Sequence, residues 1–406
     1  MPPMAQSSSS PVSTDRSVDD IREAVRSLLP GIRARAAACE RARMVSAETF
    51  EALRAVGFYK LVQPAAFGGY EQDFAVLIEL IMEMAAACAS TAWVCGLLSA
   101  HQWMVGLYPR NAQEEVWVNN PGATFCGSYA PINEARPAAG GYRLSGRWSF
   151  ASGCDNSDWA ICAARIPAKS ERPAYPAFLL VPATDYVIDD TWDVIGLAGT
   201  GSKTLVLNDV LVPEHRLISF ADAASGRTPG SKLYASRLFA MPVYCHISPC
   251  LAATAVGAAA GAVEDFIDNT SGRLTRGSVT GSNNRMAEFP TIQIKVAEAA
   301  ASVDAARTIL LRDLQATADE VRRKGEASVT QRVTDRRGQV FAVKLAVQAA
   351  DILNGATGGN GLALSNPVQR AWRDVNAVAR HVSLNWDAVS AMYGQMALGL
   401  EPRGQY

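Results

Sequence analysis

Four histidines, His101, His215, His246 and His381, are the natural carriers of proton transfer near neutral pH in this 406-residue chain. His381 lies in Arg380-His381-Val382-Ser383-Leu384, and His101 opens His101-Gln102-Trp103. An imidazole with a pKa of about 6.5 can draw a proton from a hydroxyl or return one, which makes these two the acid–base candidates. The plain alternatives are a helix-surface position for His381 and an interface position for His101. His215, just past Val212-Pro213, reads as exposed, and His246, in Cys245-His246-Ile247, as a cavity-lining residue without an assigned role. The eight cysteines are scattered, with no C-x-x-C pair and no histidine at zinc-finger spacing. No metal centre is expected, and they read as small buried hydrophobes.

A second group alternates flat rings with hydroxyls: Trp148-Ser149-Phe150-Ala151-Ser152-Gly153, preceded by Ser128-Tyr129. Either these residues line a site, or they form a strand with two aromatics in the core and serines on its polar face. Trp93 lies eight residues before His101, about two helical turns, and so on much the same face. Wall of a site and core packing are equal readings for it.

The elements that must hold these residues fall into three blocks. Residues 1–15 are Ser/Pro-rich and read as a disordered tail. From 16 to 120 the chain reads as helical: an amphipathic run from Val18 to about Cys39, a second helix opened by Ser46-x-Glu48 and ending near Gly57, and an almost wholly apolar run from Phe74 to about Leu98. Residues 121–232 break into short alternating segments, such as Trp159 to Ala164 and Ala177 to Val181, punctuated by glycine and proline. This predicts a β barrel or sandwich, ending in a low-complexity loop from Ala221 to about Leu233. From 233 to 406 the pattern predicts a bundle of four long helices at about 248–270, 289–324, 328–354 and 366–398. The run Gly355 to Gly361 between two of them reads as an interhelical turn before it reads as a phosphate cradle. The class is α+β, without alternating βαβ units.

Composition narrows the partners. A formal net charge of −1, with no basic tract, gives no field for nucleic acid. No apolar run of about 18 residues is evident and the N-terminus lacks the apolar centre of a secretory signal, so a cytoplasmic protein acting on a small molecule is expected. No strand, G-x-G-x-x-G and helix fingerprint of a dinucleotide fold is present.

Taken together, Phe67-Gly68-Gly69-Tyr70, Gly141 to Trp148, Gly199-Thr200-Gly201-Ser202-x-Thr204, Asp209-Val210-x-Val212-Pro213, Gly358-Gly359-Asn360-Gly361 and Trp372-Arg373-Asp374 resemble, in order and spacing, the acyl-CoA dehydrogenase superfamily. The resemblance spans about residues 20 to 400. Ser128-Tyr129-Ala130-Pro131, Ser152-Gly153-Cys154-Asp155, Gly196 to Ser202 and Trp372-Arg373-Asp374 look most like its flavin-dependent monooxygenase branch. That branch includes the oxygenase component of 4-hydroxyphenylacetate 3-hydroxylase and the steroid-degrading phenol hydroxylase. The common dehydrogenases carry their glutamate base eight residues beyond the aspartate of the Arg-Asp pair. Here that count from Asp374 reaches Val382, beside His381.

The resemblance implies an acyl-CoA dehydrogenase-like fold with an N-terminal helical domain, a central β barrel and a C-terminal four-helix bundle. It implies hydroxylation of a small phenol- or indole-type aromatic through a flavin C4a-hydroperoxide, using reduced FMN or FAD from a separate NAD(P)H-dependent reductase, with O2 as co-substrate. Ser152 is then expected at flavin N5, Trp148, Ser149, Phe150, Tyr129 and Trp93 around the ring, and His381, His101 and Ser128 in catalysis. The loop from Ala221 with Phe239 to Tyr244 is expected to select substrate, and a homotetramer is implied. An acyl-CoA dehydrogenase-type reaction on an acyl thioester is the second reading, and a non-catalytic assembly protein the third.

Overall fold

The computed structural model describes residues 16–169, 172–275 and 285–406; the predicted N-terminal tail lies outside them. Five helices come first. Helix α1 (Val18–Ala42) is opened by a capping box between Ser17 and Asp20, and α2 (Ala47–Ala55) by the Ser46 hydroxyl. The apolar run expected as one helix is two, α3 (Phe74–Ala87) and α4 (Ala89–Val105). They part at Cys88, whose extended backbone (φ −158°, ψ 109°) breaks the helix with no glycine or proline to signal it. Helix α4 is buried along its whole length, which explains a composition apolar on every side. Helix α5 (Arg110–Trp117) leads to the strands.

Eight strands follow: β1 (Phe125–Ser128), β2 (Arg136–Ala138), β3 (Gly141–Ala151), β4 (Trp159–Ile166), β5 (Tyr175–Pro182), β6 (Val187–Asp189), β7 (Lys203–Pro213) and β8 (Leu217–Ser219). The expected closed barrel is not what they form. Among the described residues they make two four-stranded sheets, in the orders β1-β4-β5-β8 and β2-β3-β7-β6. The pair β1/β4 is parallel and the other pairs are antiparallel. A separate core of Leu144, Trp148, Cys162, Leu179 and Leu205 belongs to this sheet domain. The stretch expected as a loose loop from Ala221 begins as helix α6 (Phe220–Ser225) and packs tightly afterwards, with the Gly230 N–H bonded to the Leu107 carbonyl.

The C-terminal part holds α7 (Ile247–Ser271), α8 (Pro290–Lys324), α9 (Val329–Ala356), α10 (Pro367–Val378) and α11 (Trp386–Ala397). The last helix expected from sequence is therefore two, and His381 sits in their connection. The segment Val243–Ser271 is long and apolar enough to cross a membrane, contrary to the sequence reading, but 72% of its apolar window is buried inside the protein. Packing of α7 against α3, α4, α9 and α10 accounts for that apolarity.

Candidate active site

Helix α4 carries the first part of the site. Trp93, Leu97 and His101 recur at four-residue steps and retain 6, 8 and 3% exposure, whereas Val94, Cys95, Leu98 and Ala100 between them have 1% or none. This stripe is the face of α4 that keeps a trace of exposure. The Trp93 indole N–H donates to the Ser152 hydroxyl at 2.9 Å, and the Trp93 ring meets His381 edge-on with centroids 5.8 Å apart. Trp93, Ser152 and His381, 288 residues apart at the extremes (381 minus 93), therefore form one cluster.

Ser152 directly follows β3, and Gly153 after it takes a left-handed φ of 70° where any Cβ would lie 2.7 Å from Val94 of α4. The glycine lets the strand end close on the helix. The Ser152 hydroxyl also lies 2.7 Å from that of Ser202, which lies 2.7 Å from that of Thr200. Sequence reasoning quoted Thr200 and Ser202 only as motif; their hydroxyls and the glycines beside them were the available signal. Asp374 on α10 fixes their loop, its Oδ1 accepting the Leu197 N–H at 2.6 Å. Arg373 binds Glu40 and, at 2.6 Å, the Ile195 carbonyl. A Cβ at Gly196 would stand 2.4 Å from the Arg373 carbonyl, so only glycine fits this approach. Burial raises the Asp374 carboxyl to about 7.

His101 and Tyr129 form the other flank. The His101 Nδ1 lies 2.6 Å from the Phe125 carbonyl, which can only accept, so Nδ1 carries the proton and Nε2 is left as an acceptor. Burial pushes His101 down to about 4. Tyr129 lies 5.7 Å from His101 and 5.0 Å from Phe178, and Phe178 stacks on Phe220 at 4.0 Å. The Tyr129 hydroxyl donates to the Met104 sulfur at 3.0 Å. The Ser128 hydroxyl donates to the Ser149 carbonyl at 2.7 Å, and that of Ser149 accepts from Thr204 at 3.2 Å. Ser128 and Ser149 thus brace β1 against β3.

His381 is also held down, to about 4, by burial and by the Arg336 guanidinium. Neither histidine keeps the near-neutral pKa assumed from sequence; both are neutral and weakly basic at pH 7. His215 lies on the Glu115 carboxylate at 3.0 Å. His246 is buried between Phe74 and Trp103, with centroids 4.0 and 4.8 Å away, and among the described residues its Nδ1 has no partner.

Trp148 does not join the cluster. It is 1% exposed in the sheet-domain core, its indole N–H donating to the Ala163 carbonyl at 2.7 Å. Two residues on, Phe150 is 70% exposed. A bulge between Trp148 and Ala151 places Phe150 at a left-handed φ of 65°, and so aims its ring out of the sheet. Its only described aromatic neighbour is Trp192, edge-on at 6.0 Å. A phenylalanine held in a strained conformation and presented to the outside is a stored cost that points to a ligand. A flat exposed ring beside a buried chain of hydroxyls and an indole N–H fits the tricyclic ring of a flavin.

Residues 16–120 match the family described as acyl-CoA dehydrogenase, N-terminal domain, and residues 249–386 match acyl-CoA dehydrogenase, C-terminal domain. The chain is 58% identical over 372 residues to the oxygenase component of an FADH2-dependent resorcinol hydroxylase from Rhizobium sp. (strain MTP-10005), covering 90% of this chain and 91% of that protein. The chain belongs to the acyl-CoA dehydrogenase superfamily, in its flavin-dependent monooxygenase branch. Among solved structures, the 3-HSA hydroxylase of Rhodococcus sp. RHA1 superimposes with a TM-score of 0.89 at 32% identity, covering 95% of this chain and 98% of that one. XiaF from Streptomyces sp., in complex with FADH2 and glycerol, does so with a TM-score of 0.86 at 30% identity, covering 95 and 97%. This monooxygenase is the oxygenase half of a two-component system: it hydroxylates an aromatic substrate with O2 and reduced flavin from a partner reductase. Val382, where the sequence count from Asp374 places the dehydrogenase glutamate, is 82% exposed.

Proposed function

We propose that the substrate is a small phenol of the resorcinol class and that the flavin delivered is FADH2. The observation that carries this reading is the 58% identity to a resorcinol hydroxylase, joined to an aromatic wall of Tyr129, Phe178 and Phe220 beside His101. Bound reduced flavin supplies the activation of O2. The chain's own residues orient and exclude water: Ser152, kept in place by Trp93 and Ser202, offers a hydroxyl to the ring edge, and Phe150 offers a flat face. Nε2 of His101 accepts the hydrogen of the substrate hydroxyl, which raises the electron density of the ring at the carbon to be attacked. Burial of Trp93, Leu97 and His101 keeps bulk water from the reacting atoms.

We also propose a cytoplasmic homotetramer; Ile195, Leu362, Leu364 and Leu398, each more than three-quarters exposed in the single chain, support burial between copies. Substrate selection is assigned to the segment from Phe239 to Tyr244. The test is a panel of resorcinol, 4-hydroxyphenylacetate, indole and an acyl-CoA, each with a flavin reductase, NADH and O2. Resorcinol should be turned over fastest with FAD. Faster turnover of any of the others, or equal rates with FMN, contradicts the assignment.

A further inference from the structure

The connection between α10 and α11 makes His381 the N-cap of the short turn Val382–Leu384. Its Nδ1 accepts the backbone N–H of Ser383 at 3.2 Å and meets the Ser383 hydroxyl at 3.0 Å. A backbone amide only donates, so Nδ1 must keep its lone pair, and the single proton of the uncharged ring sits on Nε2. Among the described residues Nε2 has no protein partner, and it lies on the ring edge away from the turn.

The turn is itself anchored. The Ser383 carbonyl accepts from Arg336 at 2.6 Å. Arg336 is 2% exposed on α9; its other terminal nitrogen binds Gln339 at 2.6 Å and its Nε the Gln405 carbonyl at 3.3 Å. A guanidinium with three fixed acceptors cannot swing away without stranding buried polar groups. From the other side His381 meets the uncharged Trp93 ring. Arg336 is the charged group that bears on the imidazole, and it opposes a second proton.

We propose that Arg336 is a positioning residue which, through Ser383, holds His381 as an Nε2–H hydrogen-bond donor to the reacting oxygen, not as the base that deprotonates the substrate. The inference rests on the monooxygenase reading for the oxygen served, but the tautomer does not depend on it. The pairing with His101 is complementary: one imidazole presents an acceptor at Nε2, the other a donor.

The first experiment is a long-range 15N–1H spectrum of the full chain labelled in histidine, with His381 assigned by its loss in His381→Gln. The expected result is an unprotonated Nδ1 and a protonated Nε2 for His381, unchanged between pH 6 and 8, and mixed tautomers in Arg336→Lys, which keeps the charge but not the fork. A protonated Nδ1 in the native chain, or an unaltered spectrum in Arg336→Lys, overturns the proposal. The second is the product formed per O2 consumed, with reductase supplied. Gln at 381 places an N–H where Nε2 lies, whereas Asn places a carbonyl where Nδ1 lies and keeps only the cap. His381→Gln should exceed His381→Asn about tenfold, and Arg336→Gln should lose about tenfold while its KM for the phenol changes little. Equal failure of Gln and Asn means that a base is required and the donor role is wrong. If Arg336→Gln does not fold, the native spectrum and the Gln/Asn pair decide the matter. A failed reading of the reaction itself would appear as no product from the native protein despite the expected spectrum.

Discussion

His101 and His381 are both neutral at pH 7 and both adjoin residues on the same α4 stripe, yet their surroundings make them chemical opposites. His101 faces a backbone carbonyl, that of Phe125, and must donate through Nδ1; His381 faces a backbone amide, that of Ser383, and must accept through Nδ1. The difference shows that the fold settles which imidazole nitrogen is donor and which acceptor before any substrate arrives. Neither assignment needs a charged histidine. A site that excludes water gains from this, because a charged buried ring would have to be compensated.

The strongest way to break the comparison is to remove one partner. His101→Ala should lower product formation on the order of 10²-fold while leaving reduced-flavin affinity, read by anaerobic titration, within a few-fold. His101→Gln, which places a carbonyl oxygen where Nε2 accepts, should recover part of that loss. If Gln is no better than Ala, the acceptor role of His101 is wrong. Next in size, Ser152→Ala strands the buried Trp93 N–H and should cost about 1–3 kcal/mol of stability, measured by urea unfolding, together with product yield per O2. An unchanged urea midpoint would mean that Trp93 finds another partner.

Acid unfolding separates the two histidines from Asp374. His101 and His381 titrate near 4 when folded, against 6.5 ordinarily, so the stability they contribute is full above 6.5 and is lost as pH falls towards 4. Asp374 is raised to about 7 from 3.8, so its contribution is present below about 4 and is lost as pH rises through 7. Between pH 4.5 and 6.5 the histidines and Asp374 act in opposite directions, so the sign is read from the difference: His101→Gln should make the urea midpoint fall less, or rise more, towards the acid end than in the native chain. An acid limb as steep as that of the native chain would remove His101 from the account. The smallest effect is expected at Trp148, where Phe should cost about 1 kcal/mol through the bond to Ala163 and leave flavin affinity unaltered. A loss of flavin affinity in Trp148→Phe would return Trp148 to the site.

That last contrast shows how far the site was legible. Alternation puts Trp148 and Phe150 on one face of a strand, and sequence reasoning assigned both to the flavin. The bulge with Phe150 at positive φ separates them, one into the core and one outward, and nothing in Trp-Ser-Phe-Ala announces it. The helices were legible from their apolar periodicity and from caps such as Ser17 and Ser46. Their breaks at Cys88 and after Val378 were not, since neither carries a glycine or proline and both depend on tertiary packing. Ser152 was legible through its motif, whereas its partner Trp93 is 59 residues away and only the fold joins them. Arg336 and Asp374 act on the backbone of distant loops, a role that residue type does not reveal.

The central claim is that this chain transfers one oxygen atom from O2 to a phenol. The direct measurement is mass spectrometry of the product formed from resorcinol under 18O2, with FAD, NADH and a flavin reductase. One 18O atom per product molecule, and no product when the reductase is omitted, is the predicted result. Hydrogen peroxide as the sole product of O2, or unlabelled oxygen in the ring, would contradict it.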